Sequence, residues 1–148
     1  MIYLGSDHAG YLVKCAIVDY FNKNKIPYVD CGTNSIDSTD YQKFAFKVCE
    51  KVILNKDDKG ILVCGTGVGM SIAANKVPGI IAGLVDKKEL TVYAVSHDHC
   101  NVLCLSGKYV SIADNLEIVQ TFLNTTPLYD YHYDRVKAII DYENNHKK

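Results

Sequence analysis

Net charge, membrane-length apolar runs, paired cysteine motifs and arginine are scarce or missing from this sequence, and each absence narrows what the chain can be. The formal net charge of the 148 residues is −1. The terminal His146-Lys147-Lys148 is the one basic run and reads most simply as a frayed, solvated end, so nucleic acid is not an expected partner. No apolar stretch is long enough to span a membrane, and the opening MIYLGSDHAG puts Asp7 and His8 where a signal peptide needs a continuous apolar core. A soluble, cytoplasmic protein without membrane contact is expected. The six cysteines (Cys15, Cys31, Cys49, Cys64, Cys100 and Cys104) include no CxxC pair and lie in apolar or mixed segments. That is unlike a disulfide framework, and they read as thiols in a reducing compartment. Arg135 is the only arginine. Repeats, low-complexity segments and linkers are absent.

What is present is a chain with 48% hydrophobic and 22% charged residues, the length and composition of one domain over 1–148. Short β-branched runs alternate with segments of helical period. Strands are expected at 2–5, 27–30, 60–64, 79–84 and 101–105. Between the first two, the apolar pairs Leu12/Val13, Ala16/Ile17 and Tyr20/Phe21 recur every four residues and predict one buried helical stripe. Phe44, Val48 and Val52 repeat that pattern, a helix opens after the glycines of 65–69, and further helices fit 86–95, 114–122 and 133–144. Strand and helix in regular alternation predict an α/β fold, a parallel sheet with helices on both faces, whose ligands bind beyond the carboxyl ends of the strands.

Two polar clusters fall at such ends: GSDHAG after the first strand and CGTGVGMS after the third. The second fits neither common nucleotide motif. Counting from Gly65, the sixth position of a dinucleotide fingerprint is Met70, and the Gly-Lys-Ser/Thr of a P-loop is absent because Gly69 is followed by Met70 and Ser71. What remains is a run of N–H groups at Gly65, Gly67, Gly69, Met70 and Ser71, which suits an anion at a helix start, or else glycines that only make a tight turn. Cys64 precedes those amides, in a field that favours a thiolate; the alternative is a buried, inert cysteine. His8 and His97 are acid–base candidates or structural hydrogen-bonding residues. Asp7 either orients a ligand or caps the following helix. His97, His99, Cys100 and Cys104 match no strong zinc spacing, and no metal site is expected.

GSDHAG, DCGT at 30–33, TDY at 39–41, CGTGVGMSIAANK at 64–76 and NVLCLSG at 101–107 together resemble the type B ribose-5-phosphate isomerase family, which includes subunits of galactose-6-phosphate isomerase. The resemblance implies a Rossmann-like three-layer sandwich around a five-stranded parallel sheet. It also implies a homodimer with active sites shared across its interface, a tetramer being the larger alternative, and no metal or organic cofactor. By the same resemblance, Cys64 is the base that moves a proton between C1 and C2 of a sugar phosphate through an enediolate. Thr66 and His97 assist ring opening, and Asp7, His8 and Tyr41 help to hold the substrate. The family's phosphate-binding arginines fall near Lys108 and 131–135. Lys108 keeps the charge without the bidentate fork, Tyr131 replaces one arginine, and Arg135 is the leading phosphate ligand, against a surface ion pair on a helix. Asp98 stands where the family usually has asparagine. The implied reaction interconverts ribose 5-phosphate and ribulose 5-phosphate. Isomerisation of allose 6-phosphate or galactose 6-phosphate is the alternative within the class, and a nonenzymatic anion- or nucleotide-binding module is the alternative outside it.

Overall fold

The structure, a computed structural model, describes residues 1–146. Lys147 and Lys148, which complete the terminal basic run, lie outside the described residues. Five strands, β1 (Ile2–Ser6), β2 (Tyr28–Asp30), β3 (Lys59–Cys64), β4 (Ala82–Leu84) and β5 (Val102–Ser106), alternate with α1 (Tyr11–Lys23), α2 (Tyr41–Val52), α3 (Val68–Asn75), α4 (Lys88–Ser96) and α5 (Ile112–Asn124), and α6 (Tyr131–Asn145) follows. All pairings are parallel, in the order β2-β1-β3-β5-β4.

Alternation along β3 and β5, two of the three inner strands, builds two cores. Ile61 and Val63 of β3, with Leu103 and Leu105 of β5, face Val13, Ile17 and Phe21 of α1, Val95 of α4, and Ile118, Val119 and Phe122 of α5. Leu62 and Cys64, with Val102 and Cys104, face Val48, Cys49 and Val52 of α2 and Met70, Ala73 and Ala74 of α3. Burial on both faces is why β3 and β5 read as continuous apolar runs.

The structure differs from the periodicity in two places. In α1 the stripe is narrower than the apolar pairs imply: Leu12 is exposed, and Lys14 is buried instead. The Lys14 ammonium reaches the Asp30 carboxylate and the Thr33 carbonyl oxygen, partners that no local period reveals. The fourth strand is also shorter than 79–84. Gly79 has a φ of +92°, and the Asn101 side chain takes the Ile81 N–H and donates to the Gly79 carbonyl, so ladder pairing starts only at Ala82. α6 stands apart from the cores. Val136 is its only buried residue, while Tyr131, Ile139 and Tyr142 are each more than 60% exposed. Among the described residues no helix is long and apolar enough to cross a membrane.

Candidate active site

From β1 the chain moves outward to β2 and then returns past β1 to β3. The loops after β1 and β3 therefore diverge, leaving the crevice where open parallel sheets bind ligands. Asp7 and His8 follow β1 on one side of it, and Cys64 to Ser71 follow β3 on the other. The walls are held by very close backbone approaches. A Cβ at Gly10 would sit 2.3 Å from the Val63 carbonyl oxygen, and one at Gly107 would sit 2.6 Å from that of Ala9. The loop after β5 ties down the turn at Cys64: Gly107 N–H donates to the Cys64 carbonyl (2.8 Å), Lys108 N–H to that of Gly65 (3.0 Å), and Ser106 Oγ also to Gly65 (2.7 Å). Asn115 of α5 holds Ser106 in turn, donating from Nδ2 to its carbonyl at 2.9 Å.

Within the turn, Gly67 adopts a left-handed φ of +81°, which aims its N–H at Cys64 Sγ, 3.1 Å away. Thr66 Oγ1 accepts from Val68 N–H at 3.2 Å. These bonds revise the expected anion cradle. The Gly67 N–H is committed to the sulfur and the Ser71 N–H to the Gly67 carbonyl (3.1 Å), while the Ser71 hydroxyl donates to Val68. The N–H groups of Gly69 and Met70 remain at the helix start, beside the positive end of its dipole. Met70 contributes only backbone there, since its side chain is fully buried in the core. The Tyr41 ring lies over Gly69, so close that a Cβ would meet it at 2.7 Å.

Asp7 does what a capping carboxylate does: buried, it accepts the Gly10 N–H at 3.0 Å through Oδ1. His8 is oriented from outside its own loop. Thr39 N–H donates to its Nδ1 at 3.1 Å, so the neutral ring carries its proton on Nε2 as a donor.

The remaining expected residues form a second cluster elsewhere. Cys64 closes β3 opposite Ser106, the last residue of β5, whereas His97 ends α4 and precedes β5, which begins at Val102. Along a strand rising about 3.3 Å per residue, the two ends of β5 lie roughly 13 Å apart. His97 and Asp98 both direct their N–H groups to the Tyr93 carbonyl, and Asp98 is exposed. The His97 ring stacks on His132 of α6 with centroids 3.7 Å apart and planes 12° from parallel. Arg135 lies one helical turn on, its guanidinium 5.8 Å from the Tyr131 ring centroid. Lys108, by contrast, belongs to the Cys64 end.

His132 was not legible as a site residue, because its only sequence signal is an imidazole among the tyrosines of YDYHYDR. Asp130 supports it, accepting both the His132 backbone N–H and its Nδ1 at 2.9 Å. The backbone bond first, and the ring second, hold the Asp130 carboxyl below its ordinary range. No group of three or more His, Cys, Asp or Glu among the described residues could hold a metal ion. The HDHC segment is dispersed: His97 stacks on His132, His99 Nε2 meets the Leu128 carbonyl at 2.7 Å, and Cys100 packs against Gly83.

A parallel α/β sheet with a cysteine, two polar loops and a glycine turn at its switch point is the architecture of a small-molecule enzyme site. The chain belongs to the Ribose/Galactose Isomerase family, whose model matches residues 2–139. It is 34% identical over 149 residues to the ribose-5-phosphate isomerase B of Mycolicibacterium paratuberculosis, covering 99% of this chain and 93% of that one. The crystal structure of ribose-5-phosphate isomerase B from Mycoplasma genitalium with bound ribulose-5-phosphate superimposes with a TM-score of 0.93 at 43% identity, over 97% of this chain and 95% of that one. The Clostridium thermocellum ribose-5-phosphate isomerase B structure matches with a TM-score of 0.95 at 38% identity, over 99% of both chains.

Proposed function

We propose that this chain is one isomerase domain that interconverts ribose 5-phosphate and ribulose 5-phosphate, working as a homodimer with Cys64 as the base. The observation that carries the reading is the turn at Cys64: a buried sulfur fixed by the Gly67 N–H at 3.1 Å, directly before a helix start with unspent N–H groups. Taking the proton from C2 of the open-chain aldose leaves an enediolate, whose negative oxygen needs donors already in place. Gly69 and Met70 offer backbone donors beside the sulfur. Returning the proton to C1, while the O2 hydroxyl proton passes to O1, completes the ketose, with no net oxidation and no cofactor. The bound ribulose-5-phosphate of the Mycoplasma genitalium relative supports the substrate class.

The furanose must open first. An imidazole at His97 takes the proton of the C1 hydroxyl, the C1–O4 bond breaks with its electrons going to O4, and the imidazolium returns the proton there. Thr66 assists at the sugar, and Asp7, His8 and Tyr41 hold it. Arg135 takes the phosphate, with Lys108 as a further cation at the Cys64 end. Because His97 and Arg135 lie far from Cys64 in one chain, a complete site takes the first pair from a second copy.

Two defects should separate in variants. Cys64→Ala should lose about 100-fold or more in turnover, the scale of a positioned general base, in both directions. His97→Asn should slow the cyclic aldose severely while sparing solvent-isotope exchange at C1 of ribulose 5-phosphate, which cannot close a furanose ring. Near-normal turnover in Cys64→Ala would sink the reading.

A further inference from the structure

His97 and Arg135, on different elements, are joined by a ladder of ring contacts, of which the His97–His132 rung is stacked face to face and the other ring pairs are tilted. Tyr93 lies 5.1 Å from His97, His97 3.7 Å from His132, and His132 4.1 Å from Tyr131, whose ring centroid is 5.8 Å from the Arg135 guanidinium. The middle rung is fixed most firmly. Its ring nitrogen and its backbone N–H both meet Asp130 Oδ1 at 2.9 Å, and its side chain is only 16% exposed. Leu128 N–H, donating to the Ser96 carbonyl at 2.9 Å, ties the approach to α6 onto the end of α4. So little exposure leaves His132 poorly placed to bind a sugar and well placed to support groups that do.

We propose that His132 is a positioning residue that sets the span between His97 and Arg135, and through it the length of sugar phosphate the site accepts. The inference rests on the proposed isomerase reading, in which His97 acts at the carbonyl end and Arg135 at the phosphate end. The span between them must match the carbon chain, and an arginine otherwise free on an exposed helix would lose rotamer freedom each time it bound phosphate. The cation–π contact with Tyr131 reduces that loss. The contact from His132 to His97 is face to face, so an aromatic ring of similar size should replace it, whereas a side chain offering hydrogen bonds alone should not.

The test compares His132→Ala, His132→Phe and His132→Asn on ribose 5-phosphate and allose 6-phosphate. His132→Ala should lower kcat on the preferred cyclic sugar by about 10- to 100-fold, the penalty for misplacing a reacting group by an ångström, and should narrow the preference between the two sugars. Exchange at C1 of saturating ribulose 5-phosphate should stay near wild type, which also shows that the fold is intact. His132→Phe should recover most of the loss and His132→Asn little. Independently of turnover, His132→Ala should move the ring-current shift of the His97 Hε1 proton and weaken inorganic phosphate at Arg135, both read by NMR. Unchanged sugar preference and kcat in His132→Ala, or unchanged NMR shifts and phosphate affinity, would overturn the ladder. A wild-type protein that turns over neither sugar would instead overturn the isomerase reading, leaving the NMR arm to decide the ladder alone.

Discussion

Cys64 and His97 stand at opposite ends of the same pair of strands: Cys64 pairs with Ser106 at the carboxyl end of β5, and His97 precedes the amino end of that strand. Each lies in its own built environment, the sulfur under the Gly67 N–H and the imidazole on His132. In the proposed dimer these environments are the two halves of one site, brought together by a second copy. The exposed residues of α6 and the exposed Val68 and Ile72 of α3 are apolar surface that an interface could cover.

A shared site makes a sharp prediction. Cys64→Ala and His97→Asn dimers should each be inactive toward ribose 5-phosphate, yet mixing them under conditions that exchange subunits should restore activity. In a two-fold dimer, each mixed pair carries one intact site and one doubly defective site, so random exchange restores about a quarter of wild-type activity. Rates of the mixed sample against time of exchange give the measurement. Persistent inactivity despite proven exchange would place the whole site within one chain.

The sheet was readable because its inner strands are buried on both faces and so are continuously apolar, and its crossovers carry clear helical stripes. The Cys64 turn was readable because its residues are contiguous. What stayed hidden depended on contacts far along the chain. Lys14 looks like a solvated helix position until Asp30 and Thr33 arrive to meet it. Thr39 orients His8 from 31 residues away. His132 gains meaning only when α6 folds back onto the end of α4. Ser71 was a plausible anion donor by position, but helix formation itself consumes its N–H.

The cysteines should divide by reactivity. Burial pushes the thiols of Cys49 and Cys100 up to about 12 and that of Cys104 well above its ordinary value. A raised value means the thiol stays protonated, and the nucleophilic thiolate scarce, at any pH well below it. At pH 8, iodoacetamide should therefore leave these three unmodified in the folded protein. Cys15, which is half-buried, should react first, and ribose 5-phosphate should slow any modification at Cys64. Peptide mass mapping before and after denaturation decides it. Rapid labelling of Cys104 in the native protein would contradict the packing of β5.

Acid should loosen the first turn of α6 before it unfolds the sheet. Asp130 accepts the His132 N–H as a helix cap and the His132 ring as a second donor, and both bonds favour the ionised carboxylate, holding it below the usual carboxylate range. The sign follows from linkage: a depressed carboxyl stabilises the fold fully above its unfolded-state value, and that contribution is lost as pH falls through the lower folded-state value. Asp130 is substantially exposed, so the effect is local and should fade in high salt. Amide hydrogen exchange at Tyr131 to Arg135, corrected for intrinsic rates, should accelerate relative to Phe122 in the core as pH is lowered from 5 to 3. Asp130→Asn keeps an oxygen for the cap but removes the charge. It should raise exchange in that turn roughly threefold at neutral pH, the scale of a weakened cap, and abolish the acid-dependent change. If wild type and Asp130→Asn show the same pH dependence, the carboxylate does not hold the turn, and the support beneath His132 and His97 must come from their stacking alone.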